Sequence, residues 1–201
     1  MTRMPALSPV LRSALTLLLA WACLGAGRAA WASPPTTDDR DTTPIPALDL
    51  PRYMGTWYEV AKYPNRFQRD CARNTRATYT LQPQGTVEVR NRCTRADGSV
   101  NEAVGQARHA DDQPDGARLE VRFAPAWLSF IPWVWGDYWV VDLDEAYQLV
   151  AVSEPGRDYL WILSRTPHVD AQAYHALLHR LTRQGLDITR LVPTSQPSSR
   201  R

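Results

Sequence analysis

The chain beyond residue 47 is a succession of short segments in which apolar and polar side chains alternate, or in which β-branched and aromatic residues predominate. A period of two is typical of half-buried β-strands. The pattern predicts eight strands: Trp57–Tyr63, Thr75–Leu81, Thr86–Cys93, Val100–Arg108, Ala117–Phe123, Asp137–Leu143, Gln148–Val152 and Tyr159–Ser164. Short turns rich in Gly, Pro and Asp separate them, and no helical pattern intervenes. We therefore predict an all-β fold, an eight-stranded antiparallel up-and-down barrel or meander.

One helical pattern follows the predicted barrel. Apolar residues at i, i+3, i+4 and i+7 define a single face: Tyr174, Leu177, Leu178 and Leu181. Asp170 suits the N-cap of this helix and Gly185 suits its end. We expect the helix to pack on the outside of the barrel, and we expect Ile188–Val192 to add a short terminal strand.

Two histidines on this helix, His175 and His179, stand four residues apart, a spacing that lets two imidazoles reach one metal ion. Both lie away from the apolar face, Ala176 stands where a zinc hydrolase needs a glutamate, and the sequence offers no third ligand. We interpret the pair as part of a solvated helix face. We expect no metal and no cofactor.

The first 32 residues have the organisation of a signal peptide. Arg3 and Arg12 are positive, residues 14–26 are apolar, and Ala30-Trp31-Ala32 matches a cleavage site. In the alternative interpretation Cys23 is the lipidated cysteine of a lipoprotein. Both interpretations predict export, either to the periplasm or to the outer membrane as a lipoprotein.

The composition is that of a soluble globular protein, since 44% of the 201 residues are hydrophobic and 22% are charged. The 23 basic and 21 acidic residues nearly cancel, so we expect no nucleic-acid partner. We expect a flexible Pro/Thr/Asp-rich tether over residues 33–47, a folded domain over 48–193 and a disordered tail over 194–201. We expect a monomer or a weak homodimer.

The cysteines outside the leader form an even pair, Cys71 and Cys93. In an oxidising compartment such a pair is expected to form a disulfide. The alternative is two free, buried thiols.

Three short motifs are scattered along the predicted barrel. Gly55-Thr56-Trp57 opens the first strand, Gly136-Asp137-Tyr138 precedes the sixth, and Arg165 follows the eighth. Together they resemble the conserved regions of the lipocalins, and the surrounding sequence is closer still to the bacterial outer-membrane, Blc-like group, which is related to apolipoprotein D. The likeness runs from about Leu48 to Val192. Gly136 departs from it, because the second motif commonly has threonine there.

The resemblance implies a barrel that binds small hydrophobic molecules, and for the bacterial group it implies fatty acids and lysophospholipids. It implies structural roles for Gly55, Trp57, Asp137, Tyr138 and Arg165, with the Arg165 guanidinium stacked on the Trp57 indole. We predict a binding protein and no enzyme. One alternative is a lipocalin-fold enzyme that acts on a lipid or another hydrophobic small molecule. A second alternative is a structural or tethering protein whose cavity is packed shut.

Strand alternation gives the expected ligand contacts. Trp161 and Leu163 share a strand face with Arg165, so they line the cavity if that face points inward toward Trp57. The dense aromatic stretch at residues 127–139 is expected to place some members at the cavity or its rim. The full set of expected ligand contacts is Trp161, Trp135, Tyr138, Trp139, Leu163 and Glu59.

The placement of Glu59 is left open by the sequence. Glu59 and Ala61 share parity with Trp57, which would turn both inward. An unpaired inward carboxylate is costly. Glu59 is therefore expected to bond to a ligand head group or to a neighbouring hydroxyl, or to lie near water at the mouth.

Overall fold

Eight antiparallel strands close into a barrel in the computed structural model, which describes residues 42–110 and 116–197. They are β1 (Gly55–Lys62), β2 (Arg73–Leu81), β3 (Val87–Thr94), β4 (Val100–His109), β5 (Arg118–Arg122), β6 (Gly136–Leu143), β7 (Leu149–Ser153) and β8 (Leu160–Ser164). Consecutive strands pair, and β1 closes the barrel by pairing with both β2 and β8. The predicted fold class is confirmed. The predicted leader, with Cys23 and the cleavage site after Ala32, lies outside the described residues.

The helix that follows the barrel, α2 (Ala171–Arg183), begins and ends where its capping residues predict. The Asp170 carboxylate accepts a hydrogen bond from the Ala173 N–H at 2.9 Å. Gly185 ends the helix with a φ of +79°, a left-handed conformation that suits glycine. Leu177 and Leu181 are fully buried against the outer face of the barrel. Within the described ranges, no helix is long and apolar enough to span a bilayer.

Strand alternation separates two hydrophobic cores. Inward side chains such as Trp57, Val89 and Leu163 fill the barrel. Outward side chains such as Ile162 and Val141 pack beneath α2. The helix therefore covers one outer face and leaves the interior to the strands.

A β-bulge in β1 changes which side chains face inward. Glu59 is opposite Leu163, whereas Ala61 is opposite Ile162, so Val60 is the extra residue. Because the bulge shifts the alternation by one residue, Ala61 turns outward into the core beneath α2. The expectation that Ala61 shares the inward face of Trp57 is wrong.

Both segments that flank the barrel are held against it. In the predicted tether, Thr42 is buried and the Ile45 N–H donates to the Val140 carbonyl at 2.8 Å. In the predicted tail, the Thr194 N–H donates to the Val60 carbonyl at 2.8 Å, next to a short strand β9 (Val192–Pro193) that pairs with β1. The predictions of a flexible tether and a disordered tail are therefore wrong for residues 42–47 and 194–197, because these backbones find hydrogen-bond partners on the barrel, on β6 and β1 respectively. The predicted terminal strand begins later than expected, since Ile188–Arg190 is a 3-10 turn.

The two ends of the barrel differ. A single helical turn, α1 (Leu50–Tyr53), lies directly before β1 and closes the end at which β1 begins. Because successive strands are antiparallel, the loops at residues 63–72, 95–99, 123–135 and 154–159 surround the opposite end, which we call the mouth.

Candidate functional site

The closed end of the barrel is built around Trp57 and Arg165. The Arg165 guanidinium carbon lies 3.9 Å from the centre of the fully buried Trp57 ring. Its Nη2 donates to the carbonyls of Arg52 at 2.8 Å and Tyr53 at 3.1 Å. Gly55 has a φ of +98°, and a Cβ there would lie 3.2 Å from Arg165 Nη1. Together these residues form the bottom of the barrel interior at its closed end, which we call the floor. Other side chains line the space above the floor.

An apolar cavity of about 20 Å³ lies above this floor, so the surrounding side chains fill most of the barrel at this level. Side chains from α1, from the residue after it and from the inner faces of β2 to β6 line it: Leu50, Tyr53, Met54, Tyr79, Val87, Val89, Ala107, Leu119, Val121 and Tyr138. Apart from the three tyrosines, every one of these lining residues is apolar. The lining is therefore chemically suited to a hydrophobic group.

The three tyrosine hydroxyls form a hydrogen-bonded chain inside this cavity, which we call the tyrosine cluster. The Tyr138 hydroxyl lies 2.7 Å from that of Tyr53 and 2.9 Å from that of Tyr79. Burial raises the pKa of Tyr79 to about 12 and holds the pKa values of Tyr53 and Tyr138 well above their usual 10. All three side chains are therefore neutral hydroxyls at physiological pH.

The predicted contacts on β8 lie on the inner face of the barrel. Leu163 is buried in the inner core, and Trp161 packs against that core. The Trp161 indole stacks on Tyr159, with ring centroids 5.7 Å apart, and its N–H donates to Gln68 Oε1 at 2.9 Å. Trp161 thus lies between the cavity and the loop at residues 63–72.

Glu59 faces inward and is 2% exposed. Its carboxylate accepts hydrogen bonds from Lys62 Nζ at 2.8 Å and Thr194 Oγ1 at 2.6 Å, and a third from Gln68 Nε2. Of the alternatives that the sequence left open, the structure thus shows a bond to a neighbouring hydroxyl. We call Glu59, Lys62, Gln68 and Thr194 the acidic network. The sequence gives little sign of it, because its members come from three separate segments.

Trp135 lies outside the barrel, which corrects its expected position at the cavity. Its ring stacks on Arg108, with the guanidinium carbon 4.0 Å from the ring centre. Arg108 pairs with Glu120 on the outer surface, while its neighbour Ala107 belongs to the inner core. The Trp135 N–H donates to the Ser129 carbonyl at 2.8 Å.

Trp139 and Asp137 are also on the outer face. Because Tyr138 points inward, its two neighbours in the strand must point outward. Trp139 packs with the core beneath α2, which corrects its expected position at the cavity. Asp137 lies opposite Glu120, and partial desolvation together with the Glu120 charge raises the pKa of Asp137.

The loop between β5 and β6 exposes several large aromatic side chains. Trp127, Phe130 and Trp133 are 73%, 78% and 84% exposed. No charged residue occurs from Phe123 to Trp135. We call residues 123–135 the aromatic loop, and it is an unusual feature beside the mouth of a barrel.

Cys71 and Cys93 form a disulfide, as predicted, with their Cα atoms 5.5 Å apart. The bond ties the loop at residues 63–72 to the end of β3. A thiol enzyme on this barrel would need one of these cysteines reduced. His175 and His179 are both exposed on α2.

A family model for the lipocalin-like domain matches residues 48–196. The chain belongs to the lipocalin-like family. This lipocalin is 42% identical to temperature-induced lipocalin-1 of Arabidopsis thaliana over 80% of its length and 86% of the relative's. It is 36% identical to the outer membrane lipoprotein Blc of Escherichia coli over 96% of its length and 99% of the relative's.

A more distant relative supports the same family, and a solved structure supports the fold. Apolipoprotein D of Mus musculus is 31% identical over 74% of this chain and 77% of its own. Insecticyanin from the tobacco hornworm Manduca sexta superposes with a TM-score of 0.62 at 17% identity, covering 79% of this chain and 86% of its own. Family membership implies the binding of small hydrophobic ligands, and lipocalins are generally binding or transport proteins.

Proposed function

We propose that this lipocalin is an envelope protein that binds and transfers lipids, and that it holds a fatty acid or lysophospholipid acyl chain in the barrel. The observation that carries the proposal is the apolar cavity above the Trp57 floor, with Trp161 and Leu163 on the inner face nearby. Near the mouth, the inward Ala103 of β4 is small and exposed, whereas the Phe123 ring covers Gly105, only 2.7 Å from where a Cβ would lie. We propose that an entering chain passes along Ala103.

The apolar interior supports useful affinity. Burying ten to fifteen methylene groups at about 0.8 kcal/mol each contributes roughly 8 to 12 kcal/mol. Association costs of about 4 kcal/mol leave a dissociation constant that reaches the micromolar range for the longer chains. The Glu59 carboxylate already accepts three hydrogen bonds within the acidic network, so we do not propose it as a ligand contact. Of the residues predicted from sequence, we propose that Trp161, Leu163 and Tyr138 contact the acyl chain.

Displacement of a fluorescent fatty acid by unlabelled fatty acids and lysophospholipids tests this function. We expect Trp161→Ala to weaken binding about ten- to hundredfold, because it removes apolar contact worth about 1 to 3 kcal/mol. Trp133→Ala is the matched control, since that indole is 84% exposed. A folded Trp161→Ala protein with unchanged affinity would refute the assignment, and a wild-type protein that binds none of these lipids would refute the function.

The aromatic loop supports a membrane-facing mouth. Tryptophan favours the interface between headgroups and acyl chains, and an uncharged loop can enter it at low cost. We propose that the loop contacts the membrane from which lipid is taken, in a protein exported to the periplasm or anchored to the outer membrane through Cys23. The name of the Escherichia coli relative, an outer membrane lipoprotein, supports this compartment.

Vesicle sedimentation tests the membrane contact. The double variant Trp127→Ser, Trp133→Ser is expected to lower partitioning of the soluble domain into phosphatidylethanolamine and phosphatidylglycerol vesicles at least about tenfold. Trp139→Phe serves as the control because that ring packs beneath α2. Equal partitioning of all three proteins would contradict the proposed contact.

A further inference from the structure

The tyrosine cluster contains one more donor than its own hydrogen bonds use. Three hydroxyls carry three protons. The chain from Tyr53 through Tyr138 to Tyr79 contains two hydrogen bonds, and these consume two protons. Within residues 42–110 and 116–197 the three hydroxyls have no further hydrogen-bond partner. One O–H therefore remains without an acceptor in a cavity whose other lining residues are apolar.

A buried donor without an acceptor carries an energetic cost, and a ligand oxygen can remove it. An unsatisfied buried polar group has lost its hydration without gaining a hydrogen bond in return. A chain of hydrogen-bonded hydroxyls is polarised along its length, which strengthens the donor at its end. The cavity is thus complementary to a hydrophobic molecule that presents a hydrogen-bond acceptor.

The charge of the acceptor follows from the surroundings. The Arg165 guanidinium is committed to the carbonyls of Arg52, Tyr53, Thr56 and Tyr147. The lining residues include no cation. An ionised carboxylate would lose its hydration and gain a single spare donor, a poor exchange in an apolar space. A ketone, ester or other neutral carbonyl group loses far less hydration free energy when it is buried.

We propose that the tyrosine cluster is an anchor for neutral acceptor oxygens and that it binds apolar ligands with their carbonyl group at the floor of the barrel. This inference rests on the proposed function, because it assumes that the cavity takes up apolar molecules. It adds the ligand class and the orientation, with the carbonyl down and the alkyl chain directed past Trp161 toward the mouth.

The test uses three ten-carbon ligands and two variants. The ligands are 2-decanone, which has a neutral acceptor, 1-decene, which has none, and decanoate at pH 8, which is ionised. The triple variant Tyr53→Phe, Tyr79→Phe, Tyr138→Phe removes every hydroxyl of the cluster and keeps the rings. Tyr58→Phe is the control, since Tyr58 follows the inward Trp57 in β1 and therefore points outward. Affinities are measured by displacement of the neutral probe N-phenyl-1-naphthylamine.

We expect the triple variant to bind 2-decanone about five- to tenfold more weakly than wild type and to bind 1-decene and decanoate unchanged. The carbonyl resonance of 2-decanone labelled with ¹³C at that carbon should move downfield in wild type and in Tyr58→Phe, and should not move in the triple variant. The melting temperature of the triple variant without ligand should be unchanged or raised, because removing all three hydroxyls together leaves no unpaired hydroxyl in the cavity.

The outcomes separate this inference from the proposed function. If wild type binds neither the probe nor the three ligands, the proposed function fails. If wild type binds them and the triple variant binds 2-decanone equally well, with the same resonance, the anchor alone is refuted. An equal loss of decanoate affinity would refute the neutral ligand class, and an equal loss of 1-decene affinity would show that the tyrosines act through packing.

Discussion

The Glu59–Lys62 pair is expected to be the most sensitive electrostatic contact of the barrel. The two charges are 2.8 Å apart, and their side chains are 2% and 14% exposed. At an effective dielectric constant of about 20 this attraction amounts to about 6 kcal/mol, most of which offsets the loss of hydration. Glu59→Gln leaves the Lys62 ammonium without its counter-ion and turns an amide N–H₂ toward the donating Gln68 amide. We expect the free energy of unfolding to fall by about 3 kcal/mol, the lower end for a broken buried pair, because Lys62 retains some access to water.

Urea unfolding of four proteins measures this effect as a double-mutant cycle: wild type, Glu59→Gln, Lys62→Met and the double variant. We expect a coupling energy of about 2 kcal/mol, since the double variant no longer buries a lone charge. Glu88→Gln is the matched control, because its pair with Arg90 is about 40% exposed on both sides and should change stability by less than about 1 kcal/mol. If Glu59→Gln costs no more than Glu88→Gln, or if the coupling vanishes, the Glu59–Lys62 attraction does not stabilise the barrel.

Three further predictions concern the floor, the tyrosine cluster and the disulfide. Trp57→Ala should destabilise the fold by about 3 to 5 kcal/mol in urea unfolding, and a change below 1 kcal/mol would contradict the role of this indole in the floor. Because the folded pKa of Tyr79 is about 12 and its unfolded value is near 10, its contribution to stability is complete below pH 10 and is lost as the pH rises toward 12. The free energy of unfolding, measured from pH 9 to 11.5, should fall in wild type and should fall less in the triple phenylalanine variant. Equal slopes of this free energy against pH in the two proteins would contradict the buried cluster. Replacing Cys71 and Cys93 by Ser should cost about 3 kcal/mol by opening the cross-linked loop, and an unchanged melting temperature would refute that estimate.

The strands could be predicted from sequence because turns and alternation are local. β4, for example, was expected at Val100–Arg108 and is found at Val100–His109. The pairing order followed from short connections alone. Cys71 and Cys93 could be paired because they are the two cysteines of the sequence outside the predicted leader.

The placement of individual side chains is harder to predict. It depends on which of the two alternating sets in each strand faces the barrel interior, and on contacts with segments that are distant in sequence. The aromatic character of Trp135 and Trp139 suggests a place at the cavity. Both are an odd number of positions from the inward Tyr138, however, so alternation turns both outward. The bulge at Val60 has no sequence signal and reverses the phase for Ala61 and Lys62. Tyr79 could have been found, since it shares the inward phase of Ala77 on an alternating strand.

The seam between β1 and β2 has a consequence for how the barrel folds. Beyond Tyr58 the two strands separate, and the Gln196 side-chain amide enters the gap, donating to the Glu59 carbonyl at 2.7 Å and to the Thr75 carbonyl at 2.8 Å. These contacts join residues 137 and 121 positions apart in the chain. Contacts between residues far apart in sequence form slowly, because the conformational entropy of the intervening chain must be lost before the contact can stabilise the fold. The seam is therefore expected to close late, and until residues 192–196 arrive, the edges of β1 and β2 stay open to pairing with other chains.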